Sequence, residues 1–232
     1  GLGDVYKRQI QFCEKYCQYV DEGYTDVIHV PINRSGSSTY NNAVMAQGML
    51  REERPEHHLN IHLLDPHTYS MVFGWYLCEM ARKLQNGAEL RHVISEFETQ
   101  MNKMEVILGP YSLKQMKKSG RISAAAAVMG ELMGIRPIIT LIDGKTRVES
   151  KVRGDDKVIP AMIDLCKKRT EGVEDFDYMI GHTSIPQAAE LEKACRKAFG
   201  KAPLTTFNLG GVVSANTGPD TLALVYVGKP RD

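Results

Sequence analysis

Residues 26–50 constrain this chain more than any other stretch. Asp26-Val-Ile-His-Val-Pro-Ile32 reads as a buried strand. It runs into a small polar loop, Asn33-Arg-Ser-Gly-Ser-Ser-Thr-Tyr40, and then into helix formers, Asn42-Ala-Val-Met-Ala-Gln-Gly-Met-Leu50. Strand, polar loop and helix in that order form the repeating unit of an α/β fold. The loop falls where the strand's carboxyl end meets the helix's N-terminus. The first N–H groups of a helix have no intrahelical acceptor, and its dipole favours negative charge there. Hydroxyls added to such a terminus make an anion site. Alternatively, Ser37 or Ser38 simply caps the helix. Residue chemistry alone leaves both readings open, although residues 35–39 carry four hydroxyl side chains, more than one cap uses.

The rest of the chain continues the pattern. A short amphipathic helix is predicted over residues 10–21, with Cys13, Tyr16, Cys17 and Val20 on one face. Residues 59–64 form a strand, and Asp65-Pro66 a turn. Helices follow at about 69–84 and 88–101, the first stopped by Asn86-Gly87. Beyond Asn102 a strand at 104–108 leads to Ser112, a plausible cap for the helix at 113–118. An alanine-rich helix is expected to end near Met133, before Gly134. Asp143-Gly144 between two apolar runs marks a β-hairpin. A helix over about 156–169, a strand at 176–182, a helix at 186–199 and strands at 204–209 and 221–227 complete the chain, with Asn216-Thr-Gly-Pro219 as a polar loop before the last strand. The ordering predicts two small α/β domains, residues 10–104 and 105–232. Gly1-Leu-Gly-Asp-Val-Tyr-Lys-Arg-Gln9 has no initiator Met and no amphipathic period. It is similar to adapter-derived sequence and is expected to be a non-native leader, with the natural N-terminus missing.

Composition excludes several classes. The chain's 29 Lys and Arg against 28 Asp and Glu give a net charge of +1, so a strongly basic nucleic-acid binder is not expected. No apolar run approaches the ~18 residues that span a bilayer, and no signal peptide is evident, so a cytoplasmic protein without stable membrane insertion is expected. Five scattered cysteines form no disulfide framework. Cys13 and Cys17 share a helix face, but no second Cys/His pair stands at ligand spacing, so core thiols are the reading and no metal is expected.

Catalytic signatures are missing. Asp143-Gly-Lys-Thr146 resembles the end of a phosphate loop, but Ile139 stands where the earlier glycine belongs and strands flank it. No G-x-G-x-x-G or G-x-S-x-G occurs. His182 ends a strand, a position where α/β proteins often place ligands, and His57 and His58 sit in a charged loop. Arg121 and Arg153 each stand beside a glycine and read most simply as surface charges.

Taken in order, these pieces resemble the DegV family of bacterial fatty-acid-binding proteins. Residues 30–40 are similar to that family's S-G-T-Y loop, and Leu113-Lys-Gln-Met-Lys-Lys-Ser-Gly-Arg-Ile122 to its L-x-x-L-K-K-G-G-R-I segment. Ile135-Arg-Pro-Ile-Ile139, Asp143-Gly-Lys145 and Lys151-Val-Arg-Gly154 resemble its I-K-P-I-L, D-G-K and K-x-R-G run, and Asn216-Thr-Gly-Pro219 its closing H-T-G-P-G. The resemblance covers roughly residue 12 to the end and leaves the family's first strand and T-S-Q-P-S loop upstream.

The resemblance implies two α/β domains with a lipid tunnel at or near their interface. It implies a long-chain fatty acid as ligand, with no cofactor and no catalytic residue in this chain. Its carboxylate would be held by Ser37, Ser38, Thr39, Asn216, Thr217 and Gly218, with Arg121 and Arg153 facing the head group or a separate kinase subunit. That ATP-dependent fatty-acid kinase subunit would phosphorylate the carboxylate to an acyl phosphate. Two departures stand out: Asn216 replaces a histidine, which removes a titratable group, and Ser38 replaces a glycine. The alternatives are a binding protein for another anionic apolar ligand, or a small-molecule enzyme using residues 35–39.

Overall fold

The computed structural model describes residues 2–120 and 134–230, with side chains from Arg8 onward. The alanine-rich helix expected before Gly134 lies outside the described residues, as does Arg121. The chain forms two compact units, Gly1–His67 and Thr68–Asp232. The first contains α1 (Leu2–Asp21), β1 (Asp26–His29), α2 (Thr39–Glu53) and β2 (Asn60–Leu63). The second contains α3 (Met71–Gln85), α4 (Leu90–Met101), β3 (Met104–Pro110), α5 (Lys114–Ser119), β4 (Ile135–Ile142), β5 (Lys145–Arg153), α6 (Val158–Arg169), β6 (Tyr178–His182), α7 (Gln187–Phe199), β7 (Thr206–Asn208), α8 (Gly211–Thr217) and β8 (Thr221–Val227). A short 3-10 turn, Asp155–Lys157, precedes α6.

In the first unit β1 and β2 pair in parallel, Asp26 with Asn60 through His29 with Leu63. Parallel neighbours need a crossover, and α2 supplies it. β1 is shorter than the apolar run 26–32 suggests. Pro31 has no N–H for a ladder, and the last bond runs from Leu64 N to His29 O. α1 starts at Leu2, well before the predicted residue 10. Residues 2–9 of the segment expected to be a leader therefore continue the helix; apart from Gly3, none of them strongly opposes helical backbone. Cys13, Tyr16 and Cys17 on α1 bury against Ala46 and Leu50 of α2 and Leu59. Most of the stability of two such helices comes from this shared apolar face.

The second unit is built on one mixed sheet, in the order β5-β4-β3-β8-β6-β7. Every neighbouring pair is antiparallel except β6 with β7. β3 is buried along its whole length and β8 over six of its seven residues, as expected of central strands covered on both faces. Met162 and Cys166 of α6 and Leu191 and Cys195 of α7 pack with Ile107, Ile180, Leu222 and Leu224 of the sheet. The Asp143-Gly144 hairpin forms as read, with φ of 50° and 70° at the two turn residues, the left-handed pair that a tight hairpin requires.

The sequence pattern places the domain break at 104/105, whereas the compact units part at 67/68. α3 and α4 therefore go with the six-stranded sheet. Ser70 Oγ, just before α3, donates to Leu209 O at 3.0 Å, tying that end of the helix to the segment after β7.

Candidate functional site

The loop between β1 and α2 is ordered from within. Asn33 is 1% exposed, and its Oδ1 accepts Ser35 N at 2.7 Å and Ser35 Oγ at 2.8 Å. This side-chain turn is typical of Asn at a strand's end. Ser37 Oγ lies 2.8 Å from Thr39 Oγ1 and accepts Thr39 N at 3.2 Å. Ser38 occupies the cap position with helical backbone and makes no side-chain cap bond. Ser37 thus caps the helix through the N–H of Thr39, and Ser38 supplies the carbonyl for the first helical bond, Asn42 N to Ser38 O at 2.9 Å. The structure accordingly contains both a cap and hydroxyls beyond it.

The electrostatics at this end of α2 suit an anion. The first turn carries no acidic residue. Arg8 Nη1 donates to Thr39 Oγ1 at 3.5 Å, and the Arg34 guanidinium lies 5.1 Å from the centre of the Tyr40 ring. Two buried side-chain donors, Asn33 Nδ2 and Asn42 Nδ2, have no partner among the described residues. An unsatisfied buried donor costs about 1–3 kcal/mol, so these amides favour an acceptor supplied from outside. Asp65 is the nearby acid; its Oδ1 is occupied by Arg34 N at 3.3 Å and His67 N at 2.9 Å. Reading the sequence did not select Arg8, Asn33 or Asn42. Arg8 lay in the stretch set aside, and a buried asparagine announces itself only once its neighbours in space are known.

The second predicted group has a different character. Asn216 and Thr217 sit in the last turn of α8, a helix where the sequence suggests a loop. Asn216 Nδ2 donates to Val212 O at 2.8 Å, and Thr217 Oγ1 to Val213 O at 3.1 Å. Gly218 N donates to Ser214 O at 2.8 Å. These donors therefore serve the helix end, and that end of a helix presents carbonyls rather than N–H groups. The second N–H of the Asn216 amide is the donor in this group not used in these bonds. Arg153 is exposed at the end of β5. His182 ends β6 as expected, but its Nδ1 accepts Ser184 N at 2.9 Å, which makes it part of a turn. Among the described residues, no helix is long and apolar enough to cross a membrane.

A parallel β-α-β unit with a hydroxyl-rich helix N-terminus and a mixed six-stranded unit define a two-unit α/β protein. The family model "Uncharacterised protein, DegV family" matches residues 8–229, and the chain belongs to that family. A DegV domain-containing protein of Staphylococcus aureus is 28% identical over 224 residues, covering 94% of this chain and 75% of that one. One from Clostridium acetobutylicum is 27% identical over 217 residues, covering 92% and 75%. Among solved structures, a fatty acid binding DegV family protein from Streptococcus agalactiae superposes with a TM-score of 0.80 at 26% identity, covering 95% of this chain and 76% of that one. A stearic acid-binding protein from Eubacterium ventriosum has the same fold, with a TM-score of 0.84 at 20% identity and the same coverage.

Proposed function

We propose that this chain binds one long-chain fatty acid, with the carboxylate at the N-terminus of α2 and Ser37, Ser38 and Thr39 as its partners. The observation that carries the proposal is the Ser37–Thr39 hydroxyl pair on a helix end free of acidic residues. A carboxylate placed there accepts charge-assisted bonds from hydroxyl and N–H groups. The Asn33 and Asn42 amides add donors in the same unit that have no partner among the described residues. An acyl tail of ~16 carbons, at about 0.8 kcal/mol per buried CH₂, supplies ample driving force once covered. Relatives that bind fatty acid support the ligand class. Asn216, Thr217, Gly218, Arg121 and Arg153 enter the proposal through the family resemblance alone.

The chain acts as a carrier without catalytic groups of its own, and a separate ATP-dependent kinase subunit performs the chemistry. A carboxylate oxygen attacks the γ-phosphorus of ATP, ADP leaves, and an acyl phosphate remains. Displacement of a fluorescent fatty acid by unlabelled palmitate tests the binding. Hydroxylamine trapping of acyl phosphate tests the presentation: hydroxamate is expected only with chain, fatty acid, ATP and kinase subunit together. Hydroxamate from the chain and ATP alone would make it an enzyme instead.

A further inference from the structure

At the opposite end of α2 three potential metal ligands converge. Cys13 and Cys17, four residues apart on α1, are 2% and 8% exposed. Both face Glu53, the last residue of α2. Cys13 Sγ lies 3.7 Å from Glu53 Oε1 and Cys17 Sγ 3.5 Å from Glu53 Oε2. The three ligand atoms all lie within 4.8 Å of one another. Among the described residues no other trio of His, Cys, Asp or Glu side chains gathers in this way.

We propose that Cys13, Cys17 and Glu53 bind one thiophilic divalent cation of the zinc class, with water as fourth ligand. Zinc sits about 2.3 Å from thiolate sulfur and about 2.0 Å from carboxylate oxygen, so a tetrahedral site needs a sulfur–oxygen edge of roughly 3.5 Å. Cys17 Sγ already stands at that distance from Glu53 Oε2, Cys13 Sγ lies 3.7 Å from the other oxygen, and the three ligand atoms lie within 4.8 Å of one another, so a small carboxylate rotation completes the site. Two soft ligands favour zinc over magnesium or calcium. The buried thiols exclude competing ligands, while exposed Glu53 leaves a face open to solvent. The second cysteine pair that the sequence lacks is replaced by a carboxylate some forty residues away.

The thiols need a reason to ionise there. Burial, then the neighbouring Cys17 and Glu53, push Cys13 up to about 12, and burial with the Glu53 hydrogen bond raises Cys17. Without metal, both thiols stay protonated at neutral pH and donate to the carboxylate. Metal binding breaks two S–H bonds, forms two metal–sulfur bonds and releases two protons, so affinity rises with pH. The charged groups facing the site are Glu53 and Arg54, and Arg54 is itself 3.7 Å from Asp21. The bound cation would staple α1 to α2. α2 is 15 residues long, so the site lies about 20 Å from the Ser37–Thr39 end, and either site can fail without the other.

The test is cobalt titration of the full chain, reduced and stripped of metal with a chelator. The expected result is a thiolate-to-cobalt charge-transfer band saturating at one ion per chain and abolished by zinc. Cys13→Ser and Cys17→Ser should each lose the band, Glu53→Gln should weaken binding at least about tenfold, and Cys78→Ser should retain it. Circular dichroism checks the fold of each variant. Should the Cys13 or Cys17 variants not fold, Glu53→Gln at its exposed position decides. A reduced protein that shows no band, or a band unchanged in Glu53→Gln, overturns the proposal.

Discussion

Ser37 Oγ and Thr39 Oγ1 stand 2.8 Å apart, and Ser37 also accepts the Thr39 N–H. One hydroxyl therefore donates to the other, and a single hydroxyl hydrogen remains to meet a ligand. Removing Ser37 takes away that arrangement and one helix cap together. Ser37→Ala is expected to weaken fatty-acid binding about tenfold, equivalent to about 1.4 kcal/mol. It should also lower stability by about 1 kcal/mol through the lost cap. Fluorescent fatty-acid displacement and urea unfolding measure the two effects separately.

Glu105 lies within the sheet, 9% exposed at its side chain, and Arg169 reaches it with a bidentate fork, Nη2 to Oε1 at 3.0 Å. Tyr226 donates its hydroxyl to the same carboxylate at 2.6 Å. Deleting the cation strands a buried charge. Arg169→Met is expected to cost about 3 kcal/mol, the low end for a buried pair because Arg169 is partly exposed. Tyr226→Phe should cost about 1–2 kcal/mol. Arg196→Ala, which breaks the more exposed Arg196–Glu192 pair on α7, should cost under about 0.5 kcal/mol. Equilibrium unfolding in urea ranks the three.

Tyr16 is buried, and its hydroxyl is hydrogen-bonded to His29 Nδ1 at 2.6 Å. Burial lowers the His29 pKa below its usual 6.5. A depressed histidine contributes stability that is complete above the unfolded value and shrinks as pH falls below it, because the unfolded chain takes up the proton first. Stability of the wild type is expected to fall more steeply below pH 6.5 than that of His29→Gln. Parallel slopes for the two proteins would contradict this.

Gly109 pairs with Leu222 at the centre of the sheet. A β-carbon there would lie 2.8 Å from Val158 Cγ1 and press on the Met162 side chain. α6 approaches the sheet this closely only because no side chain intervenes. Gly109→Ala is expected to cost about 1–3 kcal/mol, read as a lowered midpoint in thermal unfolding.

Much of this fold is legible in the residues. The apolar run 221–227 becomes β8 with the same ends, and Asp143-Gly144 fixes its hairpin because only certain backbones turn so tightly. Tertiary context decides the rest. α8 escapes notice because Gly210, Gly211 and paired valines give weak helical propensity over seven residues. The break at 67/68 is invisible locally, since α3 and α4 have the same periodicity whichever sheet they serve. The Ser37–Thr39 loop is readable from strand-to-helix position. Asn33, Asn42 and the Cys13–Cys17–Glu53 cluster depend on pairings 33 to 40 residues apart or on burial, which one-dimensional spacing does not encode.

Native mass spectrometry of the purified chain, followed by denaturing extraction, decides whether the chain carries a fatty acid at the α2 N-terminus. One long-chain fatty acid per chain is expected, with occupancy clearly reduced in Ser37→Ala. A folded wild-type protein that stays free of lipid after incubation with palmitate, or equal occupancy in Ser37→Ala, would contradict the proposal.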